Sequence, residues 1–484
     1  MRRAARSARR AAGLRPLAAA AALALGGCAW LAPPPAWEQP PPPVEDRPVV
    51  EPARLHRTTL DNGLRVLVLE DHRLPRIALG VTGRRGAASE GEGEAGLALY
   101  TAELMQRGAG ALDALALARR VDGLGADLDV AAEWDSVSVE VAGLSSDLAP
   151  LFDVLADVTL RPRFERREAE KARAEQLAAL EGQKDDPATL ARWSLAEVLY
   201  AGHRFGLPLE GAPASVAKLG AAEARAFHQR VFVPGNAIVW AVGDVDPAGF
   251  TARVREAFGG WPAGPVPAAP APPPPRVPDA TRVRIVDRPD LGQAQLVLGH
   301  EGIARSEPTR HAATLLNTVL GGGGFSSRLM ARVRSDAGLT YSVGSGFAMR
   351  RAPGPFVVST FTRAPEAGRV VDLVLAEIAR LRGDGPPSER ELRDAKSDVV
   401  GSFALGLETS EAIAAALVGL DVHGLPEDSL DTLRGKVRAV SERDVAEAAR
   451  QRLHPDRVAV VAVGPADVLR PQLEKLGPVE VVEP

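Results

Sequence analysis

Hydrophobic and polar positions alternate with period two over Ser136-Val137-Ser138-Val139-Glu140-Val141, the pattern of a strand with one face buried. Directly after it, Leu148, Leu151, Phe152 and Leu155 recur at helical spacing, which predicts a helix over Asp147 to Leu160 with one apolar face. Glu165 to Leu180 reads as a charged helix whose acids and bases can pair four residues apart. Apolar runs at Arg65 to Leu69, behind the turn signal Asn62-Gly63, and at Arg282 to Asp287 read as strands. Two further strand-like runs each follow a proline: Pro234 precedes Ala237 to Gly243, and Pro455 precedes Val458 to Gly464.

These signals come twice. Gly123-Leu124, ahead of Ala126 to Val130, has a counterpart in Gly338-Leu339 ahead of Tyr341-Ser342-Val343. An offset of 214 to 221 residues, held from early to late, implies duplication of one α+β unit, each copy a mixed sheet with packed helices. Residues 33–52 and 262–278 hold nine prolines each and read as extended linkers. The expected division is 1–27 leader, 28–53 tether, 54–261 first half, 262–279 linker and 280–475 second half.

Composition narrows the chemistry. The 484 residues are 45% hydrophobic and 25% charged, as in a soluble globular protein with ample core. Against 62 acids stand 58 bases, so no general positive field recruits nucleic acid. The single cysteine, Cys28, excludes an internal disulfide and any Cys-rich zinc module. It ends a leader: six arginines and no acid before residue 16, an apolar run from Leu17 to Leu25, then Gly26-Gly27-Cys28. This resembles the lipobox of bacterial lipoproteins, which implies acylation at Cys28 and anchoring in the cell envelope, at the outer membrane facing the periplasm. Without residues 1–27 the net charge moves from −4 to −10.

The order of segments from about Leu55 to Val468 resembles the insulinase/pitrilysin metallopeptidase family. It rests on Leu60-Asp61-Asn62-Gly63-Leu64, Gly96-Leu97-Ala98, His203-Arg204-Phe205-Gly206, Pro234-Gly235-Asn236, and Ser327-Arg328-Leu329 with Gly338-Leu339-Thr340-Tyr341. The resemblance implies two homologous α/β-sandwich halves forming a clam-like chamber. It also implies an inverted zinc motif, His-x-x-Glu-His, in which the histidines bind metal and the glutamate activates water. Here the corresponding stretch is Leu99-Tyr100-Thr101-Ala102-Glu103. Leu99 and Ala102 offer no lone pair, and Glu103 offers one isolated carboxylate. The third ligand falls at Ala179 or Ala178, with Glu175 and Glu181 within one helical turn. The resemblance further implies that an arginine and a tyrosine seven residues later touch the substrate; Arg334 and Tyr341 stand at those positions.

No other chemistry competes on the sequence. The eight histidines never fall three to five apart. Gly321 to Gly324 lacks the Gly-Lys-Ser/Thr ending of a phosphate loop and reads as a flexible connection between helices. No Gly-x-Ser-x-Gly elbow occurs. The expectation is therefore a lipid-anchored pseudopeptidase without a cofactor of its own, pairing with a zinc-bearing subunit of the same family and holding extended peptides, as an added strand, beside Arg334 and Tyr341. The alternatives are an adaptor of an envelope complex, and an active peptidase with a rearranged metal site.

Overall fold

Continuous apolar runs, as opposed to alternating ones, mark the two central strands, and the reason is burial on both faces. A computed structural model describes residues 48–268 and 279–484; Cys28, the leader and most of the tether and linker lie outside them. In the first half the strands are β1 (Leu55–Thr59), β2 (Arg65–Glu70), β3 (Arg76–Gly83), a two-residue hairpin β4 (Gly108–Ala109) and β5 (Leu112–Asp113), β6 (Asp127–Ala132), β7 (Val137–Leu144) and β8 (Ala237–Gly243). The second half contributes β9 (Arg282–Asp287), β10 (Gln293–Glu301), β11 (Val343–Met349), β12 (Pro353–Arg363), β13 (Ala459–Gly464) and β14 (Val479–Val482).

The sheet orders are β1-β2-β8-β3-β7-β6 and β11-β12-β10-β13-β9-β14. Read from opposite ends, five strands correspond one to one, with β2 and β8 parallel as β9 and β13 are. This is the duplication that the repeated signals imply. The outer strands differ: β1 runs antiparallel to β2, whereas β14 runs parallel to β9. The second half thus runs past the expected end at 475, because the short Val479–Val482 segment closes its sheet. The body also starts before residue 54: Val50 is buried against the first sheet, and Val49 N–H donates to Asp431 Oδ1 at 2.7 Å.

Alternate residues of β8 divide between two cores. Ala237, Val239 and Ala241 face the helices of their own half, while Ile238, Trp240 and Val242 face Ala414, Leu417 and Val418 on helix Ser410–His423 of the other half. The exchange is reciprocal. Helix Pro187–Tyr200 of the first half lays Leu190, Ala191, Leu195 and Leu199 on Val461 and Val463 of β13. Each half thereby covers the outer face of the other's sheet, and the described residues fall in one compact unit. Gly80 makes room on the first sheet: it pairs with Trp240, and a Cβ there would sit 2.2 Å from the indole.

The β6 and β11 edges are capped by equivalent devices, an amide side chain from the first long helix of each half. Gln106 Nε2 donates to Val130 O at 3.3 Å, and Asn317 Nδ2 donates to Ser345 O at 3.0 Å. On β11 the Val343 N–H also meets Met330 Sδ at 3.4 Å. On β11 these contacts engage the Val343 N–H and the Ser345 carbonyl, two of the backbone groups on its outer edge.

Candidate functional site

The degenerate motif lies on helix Leu97–Met105, whose start is fixed by a buried acid. The Glu90 carboxylate accepts from the N–H groups of Gly96 (3.1 Å) and Ala98 (2.7 Å) and pairs with the Arg204 guanidinium. Burial pushes the Glu90 carboxyl up, opposed by Arg204 and the two N–H groups. A carboxylate at a helix N-terminus is also favoured by the helix dipole. Arg204 belongs to the His203-Arg204-Phe205-Gly206 stretch of the family resemblance, whose part here is to brace this helix. Tyr100 Oη donates to Ala169 O at 2.7 Å, tying the helix to helix Arg166–Gln183.

On this frame Leu99 is half-buried, Ala102 is fully buried and Glu103 is exposed. Glu103 pairs with Arg107 one turn on (3.6 Å), and Arg107 also reaches Glu175 (2.6 Å) and Glu168 (3.9 Å). Burial draws the Arg107 guanidinium down, but Glu175 and Glu103 more than offset it and raise it above its ordinary value. Hydrogen bonding to Arg107 holds the Glu175 carboxyl below its usual range. Ala179 is exposed one turn beyond Glu175. The residues at the motif do not fit zinc: two positions are aliphatic, and the carboxylates nearby already neutralise a guanidinium. Among the described residues no group of three His, Cys, Asp or Glu side chains is arranged to hold a metal ion.

Several histidines have local partners instead. His228 is buried with Nε2 2.8 Å from Thr159 O, and His300 is buried with Nε2 accepting the His454 N–H at 3.3 Å. Burial lowers both imidazoles to about 4, so they are neutral at pH 7. His72 sits between Glu70 (2.6 Å) and Asp244 (2.5 Å), and the hydrogen bonds that its ring donates to these two carboxylates, Asp244 first, raise it.

In the second half the structure brings Arg334 and Tyr341 together. Arg334 lies on the π-helical turn Met330–Asp336, and Tyr341 is two residues before β11. The Arg334 guanidinium carbon is 5.0 Å from the Tyr341 ring centre and 4.5 Å from that of Phe325. Both rings are open to solvent, Phe325 74% and Tyr341 73% exposed. Among the described residues no carboxylate pairs with Arg334, although the neighbouring arginines are fully matched. Arg328 binds Glu391 (2.7 Å) and Glu377 (3.4 Å), and Arg332 reaches Asp336 (3.6 Å). Arg328 also donates to Gly385 O and Pro386 O, so the Ser327-Arg328-Leu329 signature anchors the platform from below.

The glycine run connects helical segments, as expected, and does so through regular turns. Thr318–Gly322 continues helix Arg310–Asn317 as a π turn, followed by the 3-10 turn Gly324–Ser326. A Cβ on Gly321 would fall 2.7 Å from Ser345 N, and one on Gly323 would fall 2.7 Å from Thr318 O. Close backbone approach requires glycine there, and the tight turn presents Phe325. Phe325, Arg107 and Glu90 escaped the sequence reading. Arg107, four residues from Glu103, carried a readable pairing signal; an aromatic on a loop carries no periodicity at all.

Comparison with known proteins agrees with this fold. Residues 65–212 match the profile described as "Insulinase (Peptidase family M16)", and residues 218–399 match "Peptidase M16 inactive domain". A protein named "uncharacterized zinc protease" from Mycobacterium tuberculosis is 31% identical over 413 residues, 84% of this chain and 93% of its own length. A "non-peptidase homolog" from Helicobacter pylori is 24% identical over 384 residues, 78% of this chain and 87% of its own. The crystal structure of a peptidase M16 inactive domain from Pseudomonas fluorescens superposes with a TM-score of 0.79 at 29% identity, covering 85% of this chain and 98% of that one. A protease structure from Helicobacter pylori gives 0.77 at 19% identity, a likeness of fold, over 85% and 99% of the two chains. The chain belongs to the insulinase family of peptidases, family M16, and its sequence contains no His-x-x-Glu-His motif.

Proposed function

We propose that this chain is a non-catalytic subunit of a heteromeric envelope peptidase. It is anchored by lipid at Cys28, faces the periplasm from the outer membrane, and pairs with a zinc-bearing member of the same family. The partner supplies zinc and the general base; this chain supplies part of the wall and peptide contacts through Arg334 and Tyr341. The observation that carries the reading is an asymmetry within one polypeptide. The motif positions are aliphatic or turned toward Arg107, while Arg334 stands beside two exposed rings with no acid of its own. A guanidinium offers fixed donors to peptide carbonyls or carboxylates, and a phenol donates to an oxygen that gains charge. The name of the Helicobacter pylori relative is consistent with loss of catalysis in the family.

The test is reconstitution. The mature chain, mixed with a candidate His-x-x-Glu-His homologue from the same cell, is expected to form a complex that cleaves unstructured peptides faster than either chain alone. A partner equally active with and without this chain, and no complex between them, would remove the proposal.

A further inference from the structure

A cation that is held in place but left without an anion is poised for a ligand. Arg334 meets that description more closely than its neighbours: Arg328 and Arg332 on the same stretch carry their own acids. Two aromatic rings, Phe325 at 4.5 Å and Tyr341 at 5.0 Å, hold its guanidinium through the face of the ring. That contact restrains a long side chain yet provides no hydrogen-bond acceptor, so the N–H donors remain available. Phe325 is 74% exposed and therefore contributes little to the core. Its place is set by the close-packed glycine turn and by Gly324, whose φ of +59 suits glycine. Beside it, at the start of β11, the Val343 N–H and the Ser345 carbonyl are engaged by Met330 and Asn317, so the free donors at this point belong to the Arg334 side chain.

We propose that Arg334 is a carboxylate receptor and that Phe325 is its positioning residue, so that this site selects peptides bearing a carboxylate, either a free C-terminus or an acidic side chain. The inference rests on the reading of Arg334 and Tyr341 as peptide contacts, and it adds the chemical class that they select. A planar guanidinium takes a carboxylate through two parallel N–H···O bonds, which an amide cannot reproduce.

The experiment measures binding of one unstructured decapeptide to the purified mature chain in three forms: free acid without internal acids, C-terminal amide, and amide with one internal glutamate. At least one carboxylate form is expected to bind about tenfold more tightly than the plain amide, the gain of a charge-assisted hydrogen-bonded pair. That gap should close in Arg334→Gln. Phe325→Leu should weaken the preferred form about threefold, the size of an exposed cation–π contact, with Phe325→Tyr restoring it. Because these side chains are exposed or half-buried, unchanged melting temperatures confirm that the variants fold. Equal binding of the three forms, or a gap that survives Arg334→Gln, overturns the receptor; an unchanged Phe325→Leu overturns the positioning role. If Arg334→Gln weakens all three forms alike, the peptide-contact reading survives and only the carboxylate class falls. If no form binds and Arg334→Gln leaves cleavage by the reconstituted complex unaltered, the contact reading itself falls.

Discussion

Arg334 and Arg107 show how one residue type takes opposite parts according to its neighbours. Arg107 is surrounded by Glu103, Glu168 and Glu175 and serves as a structural tie between two helices; Arg334 has rings in place of acids. Replacing Arg334 with alanine, or Tyr341 with phenylalanine, should lower cleavage by the reconstituted complex about ten- to a hundredfold, as loss of a hydrogen bond to a charged or developing charge does. Assembly, followed by gel filtration, should be unchanged. The two buried histidines give a pH prediction. Their imidazoles sit at about 4 in the folded protein against 6.5 in the unfolded chain, so the unfolded state binds more protons between these values. Their contribution is fully present above about pH 6.5 and is lost as pH falls toward about 4, up to about 3 kcal/mol for each group. Urea midpoints should fall steeply from pH 7 to pH 4.5; a flat profile would refute the assignment. At this scale the sequence was legible where residue chemistry is absolute, as at Leu99 and Ala102, which cannot ligate. It was mute where position decides: nothing in the letters distinguishes buried His300 from exposed His72.

Among elements, the helices exchanged between halves build the two apolar cores that join the halves. Leu417 on Ser410–His423 is buried against β8 and its neighbours, so Leu417→Ala should cost about 2–5 kcal/mol, read as a shift in the denaturation midpoint. A loss below 1 kcal/mol would mean that this helix is not part of the first half's core. Gly321→Ala should disturb the π turn and, through Phe325, weaken peptide binding more than it lowers melting temperature. The strands were readable from pattern: period two in β7, where Val137, Val139 and Val141 are buried, and unbroken apolarity in β8 and β13. The same unbroken pattern reports that both faces are covered but not by what. The identity of the covering helix is a long-range fact, and so the reciprocal exchange stayed invisible. The π turn was also out of reach, because glycine runs signal flexibility and tight packing with the same letters.

For the molecule as a whole, duplication was legible because each half repeats its turns and strands in order, and the matching strand orders follow from it. The ends were less so: β14 is four residues long, and Val50 docks on a sheet that the preceding prolines do not announce. Since each half covers the other's sheet, the linker is not what keeps them together. Cutting an engineered protease site within residues 269–278 should leave both fragments eluting as one species at neutral pH, whereas separation without denaturant would show that the exchanged cores are weak. Purified mature protein, analysed for bound metals and assayed on unstructured peptides with and without chelator, is predicted to carry no stoichiometric zinc and to show no chelator-sensitive cleavage. One equivalent of bound transition metal together with chelator-sensitive cleavage in the absence of any partner would instead make this chain a metallopeptidase in its own right.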